Sequence, residues 1–226
     1  AAESVSILEK AKSLVEIEYE ELNPISNVID AMENNSELVH PNTTDNNVFF
    51  VQKLFRGDAD EAIRNSKYVV KNKYSTPFTE HAFLEPESAI AMPYNDDGVL
   101  IYSADQGVYQ TRKECAEALG LPLEKVRVVA KSIGGGFGGK EDMSVQHHAA
   151  LLSYKTKKPV KVSLSRQESI MVHPKRHAME MEFTLACDEN GKLTAMKAEI
   201  IADSGAYASL GGPVLQRACT HAAGPY

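Results

Sequence analysis

An α+β fold built on a mixed sheet is the architecture that this 226-residue sequence predicts. Short apolar runs with the period of two that a strand requires recur along most of the chain. Segments with helical spacing and recognisable stops fall between them. Two longer alternating runs, 176–187 and 192–203, flank Asp188-Glu189-Asn190-Gly191 and predict a hairpin. No internal repeat or low-complexity tract competes with that reading.

Taken in order, Val5, Leu8, Ala11 and Leu14 recur at helical spacing and predict an amphipathic helix over 3–14. Val15, Ile17 and Tyr19 then alternate with Glu16, Glu18 and Glu20, the pattern of a half-buried strand. Residues 23–47, rich in Asn and interrupted by Pro24 and Pro41, read as a long connection with a domain boundary in its second half. Strands are predicted over 48–55, 67–75, 87–93 and 98–103, the last two separated by the turn signal Asn95-Asp96-Asp97-Gly98. A helix over 107–119 stops at Gly120, with Pro122 just beyond. Val126, Val128 and Ala130 predict another strand. A glycine-rich loop, a helix over 142–156 and a strand over 159–164 follow. After the hairpin the chain reads as an unfinished segment ending at Tyr226.

Composition narrows the function classes. A net charge of −7 argues against a general nucleic-acid binder, which needs a basic face to offset phosphate charge. No apolar run approaches the roughly 20 residues that span a bilayer. The N-terminal segment has neither the basic start nor the apolar core of a signal peptide. Cys115, Cys187 and Cys219 are odd in number, far apart and outside any Cys-x-x-Cys pair, so neither a zinc site nor an iron–sulfur site is predicted. Free, mostly buried thiols in a reducing cytoplasm are expected instead.

The informative segment is Ile133-Gly134-Gly135-Gly136-Phe137-Gly138-Gly139-Lys140. Five glycines in six residues belong where a backbone must turn sharply or approach a ligand. A strand before the loop and a helix after it would place its N–H groups at a helix N-terminus, a setting for anions. A P-loop fits the spacing of Gly134, Gly139 and Lys140, but Glu141 stands where a Ser or Thr should bind magnesium. A dinucleotide loop fits Gly134, Gly136 and Gly139, yet the next strand ends at Leu164-Ser165-Arg166 without an acid for a ribose; Arg166 would suit a 2′-phosphate. A ligand-free structural turn and close approach to a pterin-bound metal centre are the other readings.

The run Gly134-Gly135-Gly136-Phe137-Gly138-Gly139-Lys140-Glu141 resembles the loop of molybdenum hydroxylases, the family of xanthine dehydrogenases and aldehyde oxidases. Three further segments carry the same resemblance: Glu80-His81-Ala82-Phe83-Leu84-Glu85-Pro86-Glu87, Ser103-Ala104-Asp105-Gln106, and Lys158-Pro159-Val160-Lys161-Val162 followed by Arg166-Gln167-Glu168. The resemblance covers nearly the whole chain. It implies residues 1–40 as the end of a small α/β hammerhead domain with its linker. Residues 41–226 are then the first part of a molybdopterin-binding domain.

Site residues follow from the resemblance. The expected cofactor is molybdenum on molybdopterin, in some members the cytosine dinucleotide form, with no direct protein ligand to the metal. Gln106 occupies the position whose amide hydrogen-bonds an oxo ligand, a neutral donor that adds no charge. Gly136, Phe137 and Gly138 match the loop whose backbone lies beside the metal, where a bulkier residue at Gly138 would push the chain away. Glu141 and Arg217, the latter within Gln216-Arg217-Ala218, match the pair that flanks the purine in xanthine dehydrogenases; aldehyde oxidases usually carry apolar residues there. A Glu can orient ring N–H groups, and an Arg can stabilise charge that builds on the ring.

The implied reaction is hydroxylation of xanthine or hypoxanthine with water-derived oxygen. Electrons leave through 2Fe-2S and FAD centres on other subunits or domains. The implied partners are the remainder of the molybdenum subunit, an iron–sulfur subunit and an FAD subunit, with no nucleic acid and no membrane. The family's catalytic glutamate has no counterpart here, so the fragment alone is expected to be inactive and to hold no cofactor. A nicotinate- or aldehyde-type hydroxylase, and a non-catalytic partner-binding chain, are the alternative readings. His147 and His148, adjacent on a helix, are expected to face apart and to share no metal. His81 and the turn Asp203-Ser204-Gly205-Ala206-Tyr207 are expected to be structural.

Overall fold

The computed structural model describes residues 1–33, 35–42 and 45–224. Asn34, Thr43 and Thr44 of the predicted connection, and the last two residues of the chain, lie outside the described residues. The elements run α1 (Val5–Lys12), α2 (Val28–Ala31), α3 (Ala59–Arg64), β1 (Tyr68–Thr76), β2 (Ser88–Tyr94) and β3 (Gly98–Ser103). They continue α4 (Val108–Leu119), β4 (Val126–Ala130), α5 (Gln146–Thr156), β5 (Val160–Ser163) and α6 (Arg166–Val172). The last three are β6 (Ala178–Cys187), β7 (Leu193–Asp203) and α7 (Gly211–His221). The chain is α+β with mixed strand pairing, as its patterning predicts.

These elements form two compact units that interleave along the chain: 1–24 with 82–173, and 25–81 with 174–226. In the first, the strand order is β4-β3-β2-β5. β2 runs antiparallel to β3 and to β5, whereas β3 and β4 are parallel. A parallel pair needs a crossover, and α4 supplies it. The core lies between this sheet and helices α4 and α5, filled by Ala89, Ala91, Val99, Ile101, Cys115, Ala116, Val126, Val145, Ala149 and Ala150. Gly98 opens β3 because a Cβ there would stand 2.5 Å from the Tyr94 carbonyl and 2.6 Å from that of Lys125. Gly120 ends α4 in the left-handed conformation, φ 65°, as its stop signal predicts.

The second unit holds an antiparallel sheet, β1-β6-β7, with a register irregularity at Ala186/Cys187 next to the predicted hairpin turn. Glycines 211 and 212 open α7 in close contact with aromatic rings. A Cβ at Gly211 would lie 3.0 Å from Phe49 Cζ, and one at Gly212 would lie 3.7 Å from Phe50 Cδ2.

Four expectations are corrected. Residues 15–20 form no strand: the alternation is present, but Val15, Ile17 and Tyr19 stay exposed and the segment pairs with nothing among the described residues. Residues 48–55 also make no ladder, because Phe49 and Phe50 are used in packing against α7 rather than in pairing. α1 forms, with Ser4 capping the Ile7 N–H, but none of its residues is buried. α5 starts at Gln146, later than the apolar pattern suggests. Helices α2, α3, α6 and α7 add to the elements that the patterning predicts. α6 is marked by a capping box in which Ser165 and Glu168 satisfy each other's backbone N–H groups.

Candidate functional site

The site is assembled at one end of the first sheet. β3 and β4 are parallel neighbours, so the loops at their C-terminal ends leave on the same side. That is where open α/β sheets bind ligands. Gln106 sits just past the end of β3, and the glycine loop follows β4. β2 is antiparallel to β3 with Ala89 opposite Ser103, which brings Glu85, just ahead of β2, to the same end. Topology thus gathers three segments far apart in sequence.

Gln106 is clasped by the loop through its backbone and its side chain. Its N–H donates to the Lys140 carbonyl at 2.9 Å. Its Oε1 accepts the N–H groups of Gly138 at 3.2 Å and Lys140 at 3.1 Å. Two N–H donors can only meet the oxygen of an amide, so the other end of the side chain is the –NH2. Gln106 is exposed. Gly136 makes the arrangement possible, because a Cβ there would lie 2.2 Å from Gln106 Oε1.

Phe137 and Gly138 both have positive φ, 54° and 90°. Phe137 is 63% exposed, so it is no core anchor. A non-glycine residue in the left-handed region carries strain that the surroundings must hold, a state concentrated at functional sites. At Gly138 a Cβ would meet no protein atom within 4 Å, so within the protein it is the left-handed backbone that favours glycine.

Lys140 is a buried charge at the site. Its ammonium donates to Glu85 Oε2 at 2.9 Å with its side chain 2% exposed, and it sits 4.5 Å from the centroid of the buried Phe83 ring. Glu85 Oε2 also accepts the Gly134 N–H at 2.8 Å. Burial by itself pushes the Glu85 carboxyl up, but the Gly134 N–H and the Lys140 ammonium outweigh it and hold the group below its ordinary value. Both residues lie within the quoted motifs, yet nothing in their spacing shows that they pair.

Asp105 is likewise buried. It accepts from Gly107 N–H at 2.6 Å, from the Ser103 hydroxyl at 3.3 Å and from Gln146 Nε2 at 3.3 Å. The Gln146 Oε1 in turn takes the N–H groups of Ser144 and Val145 just ahead of α5, so this side chain ties the approach to α5 to the turn that carries Gln106.

Glu141 is exposed directly after this clasp, its N–H donating to the Gly138 carbonyl at 3.3 Å. Arg217 lies in the second unit, exposed on α7. The structure brings together Gln106, Gly136, Phe137, Gly138 and Glu141. Arg217 belongs to another body.

The anion-loop readings are corrected. Residues Asp142–Val145 separate the glycine loop from α5, so its N–H groups do not form that helix's N-terminus. Arg166, the candidate for a 2′-phosphate, directs Nη2 to the carbonyls of Phe83 and Leu84. The His147 and His148 rings do not face apart: their centroids are 3.9 Å apart, and burial, then the neighbouring ring, lowers the His147 pKa. Cys115 is fully buried, as expected of a core thiol, while Cys187 and Cys219 are half-buried.

What remains is a loop of strained backbone around the exposed Gln106 amide, with the Glu141 carboxylate alongside. That suits a group presenting a terminal oxygen acceptor and an uncharged approach.

Known proteins carry the same arrangement of chain. The family model described as "Molybdopterin cofactor-binding domain" matches residues 39–226. The nicotinate dehydrogenase large molybdopterin subunit of Eubacterium barkeri is 41% identical over 227 residues, covering 100% of this chain and 52% of that protein. A probable xanthine dehydrogenase subunit of Bacillus subtilis is 37% identical over 226 residues, covering 100% of this chain and 30% of that protein. The aldehyde oxidoreductase structure from Desulfovibrio gigas superposes with a TM-score of 0.90 at 26% identity, covering 96% of this chain and 24% of that one. The chain therefore spans about half the length of one curated relative and under a third of the other.

Proposed function

Because the chain belongs to the molybdopterin cofactor-binding domain family, we propose that it is part of the molybdenum-cofactor subunit of a hydroxylase for electron-poor nitrogen heterocycles, xanthine-type purines first. The observation that carries this reading is the fixed amide of Gln106. With Oε1 held by Gly138 and Lys140, Nε2 is the end left to donate, the polarity that a terminal oxygen of the cofactor requires. Molybdenum on its pterin, when bound, supplies the oxygen-transfer and two-electron redox chemistry. This chain's own residues then orient and stabilise.

Gln106, with the backbone of Gly136, Phe137 and Gly138, holds the cofactor's reactive face. Glu141, exposed beside them, accepts hydrogen bonds from ring N–H groups and sets the heterocycle in reacting geometry. Arg217 offsets negative charge on the ring, a contribution of about a few kcal/mol at most. Electrons pass to 2Fe-2S and FAD centres on partner subunits or domains.

A second reading, nicotinate hydroxylation, is favoured by the 41% identical relative named for that substrate. The deciding experiment uses the complete cofactor subunit with its partner subunits and follows urate from xanthine beside turnover of nicotinate and of an aldehyde. Urate formation that is abolished by Glu141→Ala and strongly slowed by Arg217→Met supports the purine reading. Turnover of nicotinate alone, in a preparation containing molybdenum, keeps the scaffold and replaces the substrate.

A further inference from the structure

One oxygen atom, Glu85 Oε2, holds both ends of the glycine loop: the Gly134 N–H at its start and the Lys140 ammonium at its finish. A surface ion pair would carry little weight, but here the Lys140 side chain is 2% exposed while Glu85, 39% exposed, reaches in to it. A buried ammonium persists only where a carboxylate and hydrogen bonds compensate its lost hydration. The contacts around the pair are close as well. A Cβ at Gly134 would stand 2.5 Å from Glu85 Cβ, and one at Gly135 would stand 3.1 Å from Phe83 Cβ, beneath the ammonium.

The consequence concerns Gln106. Lys140 N–H and C=O both bond Gln106, one at Oε1 and the other at its N–H. The Lys140 side chain touches neither cofactor nor substrate in the proposed arrangement, yet its anchor fixes the backbone that orients the amide. We infer that Glu85 and Lys140 form a positioning pair: their contact, buried on the Lys140 side, closes the loop Gly134–Lys140 and so sets the direction in which Gln106 donates.

The inference rests on the cofactor reading above, and its test separates the two. In the complete subunit with its partners, Glu85→Gln, Lys140→Met and the double variant are compared with wild type. The double variant removes the buried charge along with its partner, so it retains a route to folding if Glu85→Gln alone does not. Hydrogen exchange of the segment 134–141, measured with and without cofactor, is expected to accelerate by about ten-fold or more in the double variant, while the α5 segment 146–156 keeps its protection.

With the better of xanthine and nicotinate as substrate, kcat is expected to fall by about ten-fold or more with KM changed less than about two-fold. Molybdenum content stays at the wild-type level. Lys140→Arg, which keeps the charge, restores part of kcat. Unchanged loop exchange, equal loosening of loop and α5, or a loss in KM alone would each overturn the inference. Wild-type protein without molybdenum, or without heterocycle turnover, removes the cofactor reading; the exchange contrast then still decides whether the pair closes the loop.

Discussion

Gly136 controls whether Gln106 can sit in its clasp. Alanine there places a methyl 2.2 Å from Oε1, far inside contact distance, and the amide must leave or the loop must shift. Gly136→Ala is expected to lower kcat by about ten-fold or more and, because Gly136 is itself buried, to cost about 1–3 kcal/mol of stability by overpacking as well. Gly138→Ala should behave differently. No protein atom meets its Cβ, so in the cofactor-free protein the cost is the left-handed backbone, about 1–2 kcal/mol, read as a shift in denaturant midpoint. Glu85 sets an acid limit. Its folded pKa lies below the ordinary 4.5, so its contribution to stability is complete above that value and is lost as pH falls through the lowered folded value. Loop protection, corrected for intrinsic exchange, should be constant from neutral pH down to about 5 and collapse only in stronger acid. Cys115 sets the opposite limit: burial, aided by the Glu114 and Asp105 charges, pushes its thiol up to about 12 from 9.0. Its stabilising effect holds below 9.0 and is lost as pH rises toward 12, so at about pH 8 a thiol reagent should label it only after unfolding.

Among the elements, α5 shows what close packing requires. Ala149, Ala150 and Ser153 are fully buried against β2 and β3, and small side chains let the helix backbone approach the sheet. Ala149→Leu is expected to cost about 1–3 kcal/mol by overpacking, measured as a lower unfolding midpoint with unchanged slope. The same element marks a limit of sequence reading. The apolar pattern begins near 142, but Ser144 and Val145 give their N–H groups to the Gln146 side chain, which also reaches Asp105, and these are tertiary contacts that periodicity does not contain. Strands β1 to β7 were legible because apolar patterning and turn residues mark each of them. Residues 15–20 alternate just as well without becoming a strand, since alternation specifies a face and not a neighbour. At the site, Gln106 and the loop residues were legible by resemblance. Their mutual hydrogen bonds, and the joining of Glu85 to Lys140 across 55 positions, depend on strand order that spacing does not contain. The α6 capping box was within reach, because Ser165-x-x-Glu168 is a sequence signature in its own right.

At the scale of the molecule, the division into interleaved units means that β1 is separated from its partner β6 by the whole of the first unit's main segment in sequence. β1 is an edge strand, and every residue of it is exposed, including Tyr68, Val69, Val70 and Tyr74. An edge of this length with apolar side chains on both faces is a template for pairing with another chain. The only charge restraint on it among the described residues is Lys71 and Lys73, and both engage Glu182 of the neighbouring strand, at 2.6 and 3.8 Å. These lysines are thus partly neutralised and give weak protection against self-association. The isolated 226-residue chain is therefore expected to associate reversibly as concentration rises, and Val70→Lys, which adds an uncompensated charge to the edge, should shift it toward monomer in sedimentation velocity. Elevated salt should restore association of the variant, because added ions screen the new repulsion over about 10 Å or less. A wild-type chain that stays monomeric throughout would show that strand pairing at this edge does not repay the cost of ordering a partner, and a variant that associates as strongly as wild type would move the contact away from β1.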